Sequence, residues 1–457
     1  MSEQKRKLFG TDGIRGAFGA APMTPEFIYR CGKAAAEHFG TTLTSPLFII
    51  GRDTRESGQI LENALCQGLE DGGAKVEKIG VLPTAAISLL TVHQQAAAGI
   101  MISASHNEYS DNGIKFFGPE GFKLSDVDEA QLEERIEAQP HHASFSFTPA
   151  TNFDHSSAAF EIYAATLIKS LPTSFSLQGL PIFVDAAHGA AWQSTPKILN
   201  RLGANVHLMA AEPDGTNINA ACGSLHPKAL QLLMRENLGG IGLCHDGDAD
   251  RVVLLDEDAE PLDGDELLAI VGLHAASQGK LPKNTIVATL MSNLGLDEAF
   301  HVKDGSVIRS NVGDRYVLEA MQQGGYQIGG EQSGHMLFLH ILPTGDGLLS
   351  ALQVLQVMVA EKKPLRELRR VMQKYPQKLT NLQVREKKPF AQIAGLSESI
   401  QDVENEMGTR GRLLLRYSGT ENKLRLLLEY ADATQLDRLS EQILRPIRTN
   451  LNLNPLT

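Results

Sequence analysis

The residues of this chain best suited to chemistry fall into four short segments. Asp246, Asp248 and Asp250 alternate in a turn after an apolar run, with Arg251 next to them. Three carboxylates that close repel one another unless a cation holds them. Oxygen-only ligands point to Mg²⁺ or Ca²⁺. An EF-hand is a poor fit: Glu257 would stand at loop position 12, but position 6, which needs Gly, is Arg251. Three carboxylates are a short ligand set, and Mg²⁺ commonly completes its shell with phosphate. Ser103-Ala104-Ser105-His106-Asn107 ends another apolar run, with Lys115 shortly after. A serine hydroxyl there needs a base or a metal to become useful, and no G-x-S-x-G elbow surrounds Ser105. The segment from Gly330 to His335 offers Glu331, Ser333 and His335 between glycines, groups suited to a hydroxyl-rich ligand. Arg416-Tyr417-Ser418-Gly419-Thr420-Glu421, with Arg425 beyond, makes a compact anion cradle.

Three of these segments close stretches with a common rhythm of strand, helix, strand, helix, strand. The first opens at Leu47–Ile50, continues through a helical face of Ile60, Leu61, Ala64, Leu65 and Leu69, and reaches Gly99–Ile102 before the serines. The second opens at Ile182–Asp185 and ends with Ile241–Leu243 before the aspartates. The third opens at Ile286–Ala288 and ends in the Glu331 segment. This pattern predicts three related α/β units with mostly parallel mixed sheets, their ligand loops beyond the carboxyl ends of strands. Beyond about residue 370, strand candidates at 379–384, 412–416 and 424–430 and a last helix predict a smaller C-terminal α+β domain. The expected boundaries are 1–155, 156–256, 257–370 and 371–457.

Composition narrows the function classes. The 457 residues carry 42 Lys plus Arg against 54 Asp plus Glu, with a single Trp. An acidic chain lacks the basic footprint of a nucleic-acid binder and the positive patch that anionic lipid requires. No run approaches ~18 apolar residues, and the polar start has no apolar segment behind it, so a cytoplasmic location is expected. Four scattered cysteines form neither a disulfide framework nor a zinc template. No Walker A or dinucleotide fingerprint is present.

Together and in order, Ser105-His106-Asn107, Asp246 to Arg251, Gly330 to His335 and Arg416 to Glu421 resemble the four signature loops of the α-D-phosphohexomutase superfamily. Phe9 to Gly16, Asp111 to Phe117 and Gln332 are similar to the branch that works on glucosamine phosphates. The resemblance implies four domains around a central cleft. It implies an intramolecular phosphotransferase that interconverts glucosamine 6-phosphate and glucosamine 1-phosphate through a bisphosphorylated sugar, on the route to UDP-N-acetylglucosamine and cell-wall polymers. Ser105 would carry the phosphoryl group, and Mg²⁺ would be held by that phosphate with Asp246, Asp248 and Asp250. Lys115 would be the general acid/base with Arg15 assisting. Arg251, Glu331, Ser333 and His335 would bind the sugar, and Arg416, Ser418, Gly419, Thr420 and Arg425 the other phosphate. The first phosphate on Ser105 would come from an activating kinase or a bisphosphorylated sugar. Glu108, Tyr417 and Asn422 stand where the superfamily commonly has Pro.

The alternatives are a phosphomannomutase/phosphoglucomutase of the same superfamily, a haloacid-dehalogenase-type enzyme using Asp246 as nucleophile, and a non-catalytic sugar-phosphate or Ca²⁺ binder.

Overall fold

The computed structural model describes residues 8–10, 12–40, 45–140, 153–237, 239–418 and 422–451. The first unit contains β1 (Ile14–Ala17), α1 (Pro25–Phe39), β2 (Leu47–Arg52), α2 (Glu56–Asp71), β3 (Lys75–Val81), α3 (Thr84–His93), β4 (Ala98–Ile102), β5 (Asp111–Phe117) and α4 (Asp126–Ala138). The second follows with α5 (Ser157–Lys169), β6 (Pro181–Asp185), α6 (Ser194–Arg201), β7 (Asn205–Met209), α7 (Lys228–Asn237), β8 (Ile241–His245), β9 (Val252–Leu255) and β10 (Pro261–Leu262). The third has α8 (Gly264–Ser277), β11 (Thr285–Thr289), α9 (Leu294–His301), β12 (Ser306–Ser310), α10 (Asp314–Gly324), β13 (Ile328–Gly330), β14 (Met336–Phe338), α11 (Gly347–Glu361) and α12 (Leu365–Leu368). The last comprises β15 (Gln377–Gln383), α13 (Leu396–Met407), β16 (Gly411–Tyr417), β17 (Lys423–Tyr430) and α14 (Leu436–Asn450).

The sheet orders are β1-β5-β4-β2-β3, β10-β9-β8-β6-β7, β12-β11-β13-β14 and β15-β17-β16. In the first three, β2, β6 and β11 pair in parallel with the next two strands of their unit, and the second of those, β4, β8 or β13, pairs antiparallel with the strand that follows it. The three units therefore share one topology, and the third lacks the outer antiparallel strand. The last sheet is antiparallel throughout, as an α+β domain requires.

The local sequence accounts for these elements. Strands β4, β8 and β11 are buried along their whole length, so they read as unbroken apolar runs rather than as alternation. Thr24 caps α1, Asp263 and Glu266 form a capping box at α8, and Asp346 caps α11. One hydrophobic core runs from Ile49 and Phe117 through Tyr163, Val184 and Leu243 to Ile286 and Leu352, so the first three units are packed as a block. The last unit has its own core around Leu424, Leu426 and Ile443. It meets the third unit through Arg412 Nη2, which donates to the Ser292 carbonyl at 2.6 Å, and through Glu429, which accepts from Leu294 N–H at 3.2 Å. All four cysteines are buried free thiols. No helix among the described residues is long and apolar enough to cross a membrane.

Candidate active site

The serine segment joins β4 to β5, the aspartate segment joins β8 to β9, and the Glu331 segment joins β13 to β14. All three occupy the turn from the last parallel strand to the first antiparallel one. The chain turns back there without a helix, so side chains of the turn project beyond the end of the strand and meet the loops of the neighbouring units.

Ser105 is fully buried and its backbone is left-handed, with φ of 53°. Its Oγ donates to Asp246 Oδ2 at 2.7 Å and lies 3.2 Å from His106 Nδ1. Burial, then Arg251 and Arg15, pull the His106 pKa down to about 4, so the ring is neutral at pH 7.

Asp246, Asp248 and Asp250 are buried, each with a carboxylate oxygen within 4.8 Å of the others. Burial first, then the charges of Asp250 and Asp248, push the Asp246 pKa well up. Asp248 Oδ1 and Asp250 Oδ1 have no hydrogen-bond partner although both are buried. Orphaned buried carboxylate oxygens converging on one point are costly without a cation and fit a hard divalent ion.

Lys115, from β5, reaches into the same cluster: its Nζ is 2.7 Å from Asp248, 3.0 Å from Asp12 and 3.3 Å from Asp250. Burial opposes its charge, but the three carboxylates outweigh burial and hold the pKa well above the usual lysine value. Its resting state is thus the donating half of an acid–base pair. Arg15 donates to the Ala104 carbonyl at 3.2 Å and pairs with Asp12.

The charges close into a ring of alternating sign. From Lys115 it passes to Asp12, then Lys123, Asp314, His335, Asp250 and back to Lys115. Lys123 Nζ is 2.6 Å from Asp314, and His335 is 3.5 Å from Asp314 and 3.6 Å from Asp250. Three units contribute to this ring. Burial opposes the His335 charge, but Asp250 and Asp314 raise its pKa. Glu331 accepts the Gly313 N–H at 3.0 Å, tying its loop to the start of α10. Arg251 is half-buried, its Nε 3.7 Å from Asp250. Ser333 is exposed at the mouth of its loop.

Arg416, Ser418 and Arg425 form a second cluster on the last sheet, where Arg416 and Arg425 stand directly opposite on β16 and β17. Burial and then Arg425 lower the Arg416 pKa. Like charges paired across strands are unfavourable, and an anion between them would offset that repulsion. Gly419, Thr420 and Glu421 lie outside the described residues. Tyr417 stacks on Phe390 with ring centroids 4.8 Å apart and donates to the Lys388 carbonyl, so the ring braces the strand where Pro was expected.

Sequence reasoning missed the residues that hold these groups. Thr84 donates to Asp248 at 2.7 Å, Asp53 accepts from Ser103 Oγ at 2.6 Å, and Asp12, Lys123 and Asp314 complete the ring. The stretch Gly51-Arg52-Asp53, which turns polar at the end of the buried strand β2, was the available signal for Asp53.

The chain matches the descriptions of the phosphoglucomutase/phosphomannomutase alpha/beta/alpha domains I, II and III at residues 6–142, 161–260 and 263–375, and of the C-terminal domain at 379–445. It is 43% identical over 456 residues to a phosphoglucosamine mutase of Syntrophotalea carbinolica, covering 98% of this chain and 99% of that protein. It is 44% identical over 450 residues to a phosphoglucosamine mutase of Geotalea uraniireducens, covering 98% of each. Among solved structures, a phosphoglucomutase/phosphomannomutase family protein of Burkholderia thailandensis superposes with a TM-score of 0.78 at 21% identity, covering 98% of both chains. An N-acetylphosphoglucosamine mutase of Aspergillus fumigatus, solved with GlcNAc-6P and magnesium, does so with a TM-score of 0.69 at 17% identity, covering 98% of this chain and 97% of that one.

Proposed function

The chain belongs to the phosphoglucomutase/phosphomannomutase family, and from that premise we propose that it interconverts glucosamine 6-phosphate and glucosamine 1-phosphate. The observation that carries the chemistry is Ser105 Oγ at 2.7 Å from a buried trio of aspartates with two orphaned oxygens. The specificity for glucosamine rests on relatives at 42–45% identity over nearly the whole chain.

In this reading Ser105 carries a phosphoryl group. A sugar hydroxyl oxygen bonds to phosphorus as the bond from phosphorus to Ser105 Oγ breaks, and the proton the sugar hydroxyl gives up is balanced by one that Ser105 Oγ gains. The bisphosphorylated sugar then turns, and its other phosphoryl group returns to Ser105 by the reverse exchange. Asp246, Asp248 and Asp250 would hold Mg²⁺, which supplies charge neutralisation at the phosphoryl oxygens when bound. Lys115 faces the same place as a proton donor, with Arg15 holding the serine loop through the Ala104 carbonyl. Arg251, Glu331, Ser333 and His335 bind sugar hydroxyls. Arg416, Ser418, Gly419, Thr420 and Arg425 grip the phosphate that is not transferred, using charge rather than shape, so either end of the ligand fits. The four units this requires are residues 1–155, 156–256, 257–370 and 371–457. A cytoplasmic location is part of the same reading.

The test is a side-by-side kcat/KM for the 1-phosphates of glucosamine, N-acetylglucosamine, glucose and mannose. Glucosamine 1-phosphate should lead by at least tenfold; equal efficiency with glucose would refute the narrow assignment. Ser105→Ala should abolish isomerisation, and phosphate labelled onto the wild type should resist hydroxylamine, which destroys an aspartyl phosphate. Chelation should remove activity and Mg²⁺ restore it. Mg²⁺ should also raise the melting temperature, because a ligand of the folded state alone stabilises it.

A further inference from the structure

Ser105 is held by more than its own hydroxyl. Its carbonyl oxygen and that of Asn107 each accept two hydrogen bonds, one from each side of the loop. From the first unit comes Arg55, whose side chain is wholly buried. Its Nη2 donates to Ser105 O at 3.0 Å and Asn107 O at 2.8 Å. Its Nη1 donates to Glu108 O and, at 2.9 Å, to Asp111 O, and its Nε to Asp53 at 2.9 Å. A guanidinium has five N–H donors, and all five are used. From the second unit comes Asn219, whose Nδ2 donates to the same two carbonyls at 2.9 Å each. Asn219 is itself left-handed, with φ of 59°, and is anchored by its backbone N–H to Ala187 O at 2.9 Å. Behind the clamp there is no slack: a Cβ on Gly247 would lie 2.5 Å from Ser105 O and 2.9 Å from Asn219 Nδ2.

We infer that Asn219, acting with Arg55, is a positioning residue that sets the register of Ser105 against the aspartate trio, a role that rests on the mutase reading above. The reason lies in what phosphorylation changes. The hydrogen bond from Ser105 Oγ to Asp246 needs the hydroxyl proton, which a phosphoserine lacks, and phosphate beside Asp246 brings like charges together. The carbonyl clamp involves no group that is phosphorylated or transferred. It therefore survives both states of the serine and opposes relaxation from the left-handed backbone, a conformation strained for a non-glycine residue. Arg55 ties the loop to the unit that owns it. Asn219 ties it to the unit that carries the aspartates, and that second tie fixes the distance across which phosphate must pass.

Asn219 is half-buried on a loop, so its variants carry the test, and Arg55→Lys supplements them. Each full-length variant is assayed for kcat and KM with glucosamine 1-phosphate. The rate of phosphoryl uptake at Ser105 from a hexose 1,6-bisphosphate is followed by intact mass, together with the melting temperature. Misplacement of a reacting group by about 1 Å can cost on the order of a hundredfold in rate. Asn219→Ala should lower kcat and the uptake rate by about ten- to a hundredfold, leave KM within about twofold, and melt close to the wild type. Asn219→Asp keeps the shape but cannot donate, and it should be at least as slow. Arg55→Lys, with three donors in place of five, should also lose kcat. Asn219 variants with kcat within twofold of wild type, or with losses in KM alone or in step with melting, would overturn the assignment while leaving the mutase reading intact. A wild-type chain that neither takes up phosphate nor isomerises any hexosamine phosphate would overturn both.

Discussion

Gly247 is the residue between two of the aspartates, and its lack of a side chain is a packing requirement. A methyl group there would meet the Ser105 carbonyl at 2.5 Å, and that contact is backbone, which cannot swing aside. Gly247→Ala should therefore cut kcat by about a hundredfold or more, the scale of an ångström of misplacement. Steady-state kinetics with a thermal melt would check it, and a variant as active as wild type would show that the two loops have room between them. Ser105 and the aspartates were legible in the sequence because their chemistry needs particular side chains at particular spacing. Arg55 and Asn219 were not, because they bind backbone carbonyls, which every residue has and which leave no pattern. Lys115 was legible as a site residue, but its lasting positive charge comes from Asp12, Asp248 and Asp250, and the contact with Asp12, just ahead of strand β1, is one that spacing does not reveal.

At the level of elements, strand order explains why three unlike loops meet. Each leaves the last parallel strand of its unit and enters an antiparallel one, and the repeat was legible in the alternation of apolar runs and helical faces. The antiparallel partners were not legible, since a buried strand has the same apolar run in either direction. Helix starts carry their own titration. Burial, then the neighbouring Asp263, raises the pKa of Asp265, at the head of α8, to about 7. A carboxyl raised in the folded state contributes stability that is complete below its unfolded pKa, near 4, and lost as pH rises through about 7. The melting temperature of Asp265→Asn relative to wild type should therefore climb by several degrees between pH 5 and pH 8; a flat difference would refute this. Where α5 meets α11, Tyr163 donates to the capping carboxylate of Asp346 at 2.7 Å. Tyr163→Phe leaves that buried oxygen short of a partner and should cost ~1–3 kcal/mol in denaturant unfolding.

Across the whole molecule, the ring of alternating charges does for three units what the shared core does from below. Lys123 is its link between the first unit and the third, reaching Asp12 and Asp314 at once. Lys123→Met would take one cation from each of two half-buried acids, Asp12 and Asp314, which keep Lys115 and His335 as neighbours, at a cost of about 1–3 kcal/mol. Combining it with Asp314→Asn should recover part of that loss. A double-mutant cycle reads the coupling, expected at about 0.5–3 kcal/mol for groups in direct contact, and strict additivity would mean the ring is not a unit. The last domain stands apart from this ring and has its own core, joined to the third unit through Lys374, Tyr375, Arg412 and Glu429. Burial of Ser105 has a further outcome. The same burial shuts out substrate and phosphate donor alike, so the loops that enclose the residue must part before any phosphoryl group can reach it, and their closing again would shield the transfer from water.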